Sequence, residues 1–146
     1  MAFPQGVLLN NAGNLERTSH DHWHGEARLQ DNKRFIRFLT PQAGLRALMK
    51  TLLTYEDVHG LNTVTRIITR YAPPAENNTE AYIRDISQQA GISPNMVVDL
   101  QNPDILIRFA QAIVIHENGH PPEWMPYYWY EEVTYHEAAM SALKDE

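Results

Sequence analysis

The sequence predicts a mainly α-helical single domain, and three observations carry that prediction. Apolar residues recur at three- and four-residue spacing through most of the chain after residue 40. Segments with that spacing open on residues suited to cap a helix and close on glycine or proline. At 146 residues, 43% of them apolar, the chain is long enough for one real core and short for two. No internal repeat or low-complexity linker divides it, so residues 1–146 read as one unit.

The first 32 residues are loop-rich, with Asn10-Asn11-Ala12-Gly13-Asn14 and a histidine cluster, His20, His22 and His24, around Asp21 and Trp23. Arg34 to Leu39 alternates loosely, which predicts a short strand or β-hairpin near residues 26–39. Thr40 can cap a helix with Pro41 at its first position, where the missing N–H would be unpaired anyway. Leu45, Leu48, Met49, Leu52 and Leu53 form its apolar side, and Gly60 can end it. Asn62 can cap a second helix through Val64, Ile67, Ile68 and Tyr71, stopped by Pro73-Pro74. Asn77 and Glu80 have the spacing of a capping box for a third, through Tyr82, Ile86 and Ala90 to Gly91. Ser93-Pro94 opens a short fourth, Asn102-Pro103 a fifth running to about Gly119, and a sixth spans roughly Tyr128 to Leu143.

Bulk properties exclude several classes. The net charge is −6, with 12 basic and 18 acidic residues, and no concentrated cationic stripe is present to bind a phosphate backbone. Nucleic acid is therefore not expected as a partner. Apolar runs fall far short of the ~20 residues that cross a bilayer, so no membrane span is expected. The chain has no cysteine, which removes disulfides and thiolate zinc sites.

Chemistry concentrates at the end of the fifth helix. Leu106, Phe109, Ala110, Ile113 and Glu117 fall on one stripe, so a carboxylate ends an apolar face. Burial and the negative end of the helix dipole both disfavour its charged form, the condition a glycosidic general acid needs. A solvent-facing or ion-paired helix-end glutamate is the structural alternative. His116-Glu117-Asn118-Gly119-His120 also matches H-E-x-x-H, which on a helix would let His116 and His120 hold zinc. Gly119 works against it, being a good helix terminator. In an extended segment His20, His22 and His24 would point one way, as a metal-binding or proton-sensitive patch, or else form a solvated loop. Glu76 is not needed for capping and stands as a second carboxylate candidate. Trp124 to Tyr130 packs several aromatics together, for sugar stacking, for a protein partner or for the core.

The residues also resemble a phage and prophage family that carries, in order, N-N-P-G-N-[IL], W-x-G, F-x-x-F, G-[IL]-R-A, L-x-T-Y, N-T-V-x-x-I-I, [WY]-A-P-x-x-E-N-x-T and H-E-N. Here these stand as Asn10-Asn11-Ala12-Gly13-Asn14-Leu15, Trp23-His24-Gly25, Phe35 with Phe38, and Gly44-Leu45-Arg46-Ala47. Leu52-Leu53-Thr54-Tyr55, Asn62-Thr63-Val64 with Ile67-Ile68, Tyr71-Ala72-Pro73 with Glu76-Asn77-Asn78-Thr79, and His116-Glu117-Asn118 complete the series. The matches run from residue 10 to 118, and their order is harder to obtain by chance than any one of them. Ala12 departs from the usual proline, Gly6-Val7-Leu8-Leu9 from the usual R-G-I-R, and the aromatic segment after Gly119 from a shorter ending.

That family is similar in turn to glucosaminidase-type members of the lysozyme-like superfamily. The resemblance implies a single lysozyme-like helical domain and a peptidoglycan hydrolase of phage type, a muramidase, glucosaminidase or lytic transglycosylase. Glu117 would be the catalytic acid through a circular permutation of the elements, with Glu76 second. Asn11, Asn14, Trp23, Tyr71 and Asn118 would line the sugar cleft. No cofactor is implied, and His120 lies outside the pattern. Expected partners are bacterial peptidoglycan and other virion or tail proteins. The alternatives are a non-catalytic virion or tail component of the same shape, and a zinc peptidase. No signal peptide is read at the N-terminus, so the expected location is a phage particle, or a host cytoplasm before release to the periplasm by other means.

Overall fold

A computed structural model describes residues 3–18 and 22–144. Its elements are α1 (Gln5–Leu8), α2 (Pro41–His59), α3 (Val64–Tyr71), α4 (Thr79–Ala90), α5 (Pro103–Asn118) and α6 (Glu132–Leu143). The fold is mainly helical, as the periodicity predicts, and no helix among the described residues is long and apolar enough to cross a membrane.

The α5 helix is the axis of the core. Every residue from 109 to 115 is buried, so this helix is covered all round rather than along one stripe. It packs against α1, α2, α4 and α6, while α2 and α6 form the broadest helix pair. Leu48, Met49, Leu52, Ile67, Ile68, Ile86, Leu106, Phe109 and Tyr135 fill the space between them. A smaller cluster of Ile36, Phe38 and Ala47, backed by Leu15, Trp23 and Ala43, seats the N-terminal loops on α2.

The helix ends follow local chemistry. The Thr40 hydroxyl accepts from the Ala43 amide, and Gly60 closes α2 in the left-handed conformation at φ 66°. Two starts lie one residue later than the spacing predicts. Thr63 rather than Asn62 caps α3, and Asn78 rather than Asn77 caps α4, its Oδ1 accepting from Ala81. The Asn77–Glu80 capping box is therefore not formed. Instead Asn77 donates to the Pro73 carbonyl.

Four further elements depart from the expectation. The hairpin near residues 26–39 is reduced to two isolated bridges, Glu16 with Phe35 and Glu26 with Phe38. Side-chain amides occupy the groups a ladder would use. Gln30 donates to Ala27 and Arg37 carbonyls and accepts from the Arg37 amide, and Asn11 ties Leu15 to Ile36. Ser93-Pro94 opens a turn and an extended run, not a helix. Its backbone is engaged by α3, since the Pro94 carbonyl accepts from the Thr65 amide and Val98 donates to Asn62. The last helix begins at Glu132, because Trp129 takes φ 73° and ends a turn from Pro126. The loop-rich start contains the single-turn helix α1.

The loop after α1 is pressed onto α2. A Cβ at Gly44 would lie 1.9 Å from the Asn10 carbonyl oxygen, so only glycine permits that approach. Asn10 and Asn14 both adopt left-handed backbone, at φ 56° and 53°, a region asparagine tolerates better than most residues. These constraints deliver Asn14 to the end of α5.

Candidate functional site

The candidate site is a groove of about 250 Å³ between the N-terminal loop, α2, the α3–α4 connection and the end of α5. Glu117 reaches it as the penultimate residue of α5 and is half-buried. Asn14, Tyr71 and Glu76 line the same groove, so four sequence-predicted residues are brought together from positions up to 103 apart. Thr51 and Tyr55 of α2 form another wall, and Arg34, paired with Glu16, sits with Phe35 at the rim.

Both oxygens of Glu117 are engaged. Asn14 Nδ2 donates to Oε1 at 2.7 Å, and the Tyr82 hydroxyl donates to Oε2 at 2.6 Å. The Tyr71 hydroxyl donates to the Gly13 carbonyl, pinning the loop that carries Asn14. Burial, then the charge of Glu117, raises the Tyr71 phenol well above its ordinary range. For Tyr82 burial again comes first, followed by Tyr71 and Glu117. Both phenols therefore stay protonated at ordinary pH, and Tyr82 remains a hydroxyl that can give or take a hydrogen bond. Such a site holds one half-buried carboxyl group in fixed orientation beside an open groove.

The other expected cleft residues are placed differently. Asn11 does not face the groove: it is fully buried, and its amide bonds Leu15 and Ile36, so its work is to shape the loop. Asn118 turns away from the groove to the Ala12 and Val114 carbonyls. Its Oδ1 is buried without a hydrogen-bond partner among the described residues, close against Gly6. Trp23 is half-buried on the small cluster and lines an adjoining hollow that shares Thr51 and Tyr55 with the groove. Tyr71 lines the groove, but its hydroxyl is committed to Gly13.

The helical H-E-x-x-H arrangement is not formed. Gly119 ends α5 at φ 75°, and His120 lies beyond it with its ring 5.4 Å from that of Tyr127. His116 turns instead to α4, Nδ1 lying 2.6 Å from Asp85 Oδ2. Among the described residues no three metal-ligating side chains are grouped to hold an ion. His22 and His24 are exposed, with His22 Nδ1 3.6 Å from Glu26, and His20 lies outside the described residues. The aromatic segment divides. Trp129 is buried, its indole N–H donating to the Gly119 carbonyl at 2.8 Å, while Trp124 and Tyr127 are 76% and 60% exposed.

Sequence reasoning missed Tyr82 as a site residue, because its apolar spacing places it with Ile86 as core. Asp85, three residues on and therefore on the same face of α4, was the available signal that this face is not wholly apolar.

No known protein-family model matches the chain. It is 34% identical over 131 residues to Protein P5 of Pseudoalteromonas phage PM2, an alignment covering 88% of this chain and 77% of that protein. An identity of this size, sustained over nearly the whole folded unit, places the chain in the family of that phage protein.

Proposed function

We propose that the chain is a phage protein of lysozyme-like shape whose groove holds a glycan strand of bacterial peptidoglycan, with Glu117 the proton donor to the glycosidic oxygen. The observation that carries this reading is the position of Glu117: half-buried at the end of a core helix, fixed by Asn14 and Tyr82, and open to the groove. Glu76, exposed across the same groove, is the candidate for holding the attacking water, or has no chemical role if a single acid suffices. Trp23 and Tyr55 in the adjoining hollow supply faces on which sugar rings stack. The test is clearance of purified sacculi. Glu117→Gln keeps the shape and both hydrogen-bond neighbours but removes the transferable proton, and the reading fails if the variant clears sacculi as fast as the parent. Mass spectrometry of the released fragments assigns the reaction, since anhydro-sugars mark a transglycosylase and reducing ends a hydrolase.

A second reading is a non-catalytic component of the phage particle that keeps this shape. The kinship with a phage protein supports it more directly than it supports catalysis, and the exposed Trp124 and Tyr127 offer a surface for neighbours in a particle. Sacculi left intact by the parent protein, together with its recovery in purified particles, would decide for this reading.

A further inference from the structure

Two helices meet at the back of the groove through a pair of residues that do not touch it. Tyr82 and Asp85 are three residues apart on α4 and share the face that packs on α5. His116 and Glu117 are consecutive on α5, so their side chains diverge by roughly 100°. His116 is thereby directed at α4 and Glu117 at the groove. The imidazole lies stacked on the Tyr82 ring, with centroids 3.6 Å apart and planes 29° from parallel. Its Nδ1 meets Asp85 Oδ2 at 2.6 Å. The contact is a hydrogen bond in the tautomer that carries its hydrogen on Nδ1, with the Asp85 oxygen as acceptor. The tyrosine thus has one face of its ring covered by an imidazole that is itself tethered to the same helix, and its hydroxyl ends on Glu117 Oε2.

We propose that Asp85 and His116 are positioning residues for Glu117, acting through Tyr82: the tethered imidazole fixes the rotation of the phenol ring and so the direction of the hydroxyl that holds the acid. This inference rests on the reading of Glu117 as the proton donor. Neither residue touches substrate. Without the tether the imidazole is free to swing off the ring, and the hydroxyl loses the wall that sets its angle. A carboxyl group that wobbles by a fraction of an ångström spends less time aligned with the bond to be cut, which lowers the turnover step more than binding.

The test compares Asp85→Ala with Asp85→Asn, two substitutions at one half-exposed helix position that leave the core untouched. The Tyr82 hydroxyl proton, buried and directed at Glu117 Oε2, is followed by proton NMR for its exchange with water. Asp85→Ala is expected to speed that exchange by about tenfold with the melting temperature little changed, and Asp85→Asn, which retains a carbonyl acceptor, to restore it. In the same variants the clearance rate at saturating sacculi falls by about tenfold for alanine while the half-saturating concentration holds. Hydroxyl exchange in Asp85→Ala within twofold of the parent overturns the proposal. If the parent protein itself leaves sacculi intact, the cell-wall reading falls, yet the hydroxyl measurement still decides whether this pair holds Tyr82.

Discussion

Asn14 and Glu117, 103 residues apart in sequence, share a 2.7 Å hydrogen bond that fastens the N-terminal loop to the end of the central helix. The bond has a backbone cost, because Asn14 sits at φ 53°. Glycine and alanine at this position separate the two contributions. Asn14→Gly loses the hydrogen bond but suits the left-handed backbone, whereas Asn14→Ala loses the bond and keeps the strain. We expect glycine to cost about 1 kcal/mol and alanine about 1 kcal/mol more, read from urea midpoints. Equal losses would mean that the backbone conformation contributes nothing.

Gly44 admits no side chain, since the Asn10 carbonyl oxygen would lie 1.9 Å from its Cβ. Backbone cannot swing aside as a side-chain tip can. Gly44→Ala therefore either displaces the loop bearing Asn10, Asn11 and Asn14 or loosens α2, and a loss above about 3 kcal/mol is expected. Melting temperature measures the loss. A variant of unaltered stability would show that the loop does not sit against the helix as described.

Helices were legible where a cap, an apolar period and a stop agree. Thr40, Pro41 and Gly60 frame α2 as their chemistry requires, and Gly91 and Gly119 end α4 and α5. Elements failed where a distant partner had claimed the backbone. Ser93-Pro94 looks like a helix start, but the Pro94 carbonyl serves α3, and nothing near residue 94 announces that. The hairpin failed for the same reason, because Gln30 and Asn11 supply through side chains the bonds a second strand would have made. Of the site, Glu117 could be read from one helical stripe. The roles of Asn11 and Asn118 could not, since an asparagine suited to a sugar hydroxyl is equally suited to a buried carbonyl. Tyr82 was hidden because its ring belongs to the core and only its hydroxyl reaches the site.

Trp129 closes the C-terminal end of α5 from above. Its ring is 4% exposed and meets Phe3 edge-on at 6.0 Å, and its indole N–H takes up the Gly119 carbonyl. Trp129→Phe preserves much of the packing and deletes the donor, for a loss of about 1–2 kcal/mol. Trp129→Ala adds a cavity and is expected to cost about 3–5 kcal/mol. Tryptophan fluorescence is the wrong probe for this pair, since the fluorophore itself is removed, so far-UV circular dichroism against denaturant supplies the comparison. A phenylalanine variant as unstable as alanine would place the weight on the indole donor rather than on volume.

Glu56 gives the stability its sign with pH. Burial, the largest cause, raises its carboxyl above the ordinary value of 4.5. The Leu100 amide it binds at 2.8 Å opposes that rise, and the charges of Asp99 and Asp57 add to it. A folded-state value above the unfolded one means that the native protein holds the proton more tightly. The contribution to stability is therefore fully present below pH ~4, and is lost as pH rises through the carboxylate range. Glu56→Gln keeps an acceptor for Leu100 and removes the charge, so it is expected to match the parent at pH 3.5. At pH 7 it should exceed the parent by under about 1 kcal/mol, a difference that solvent around this partly exposed group keeps small. Denaturant midpoints at the two values measure it. A glutamine variant that is weaker than the parent at pH 7 and equal at pH 3.5 would reverse the sign, and would mean that the charged bond to Leu100 outweighs burial and the neighbouring aspartates.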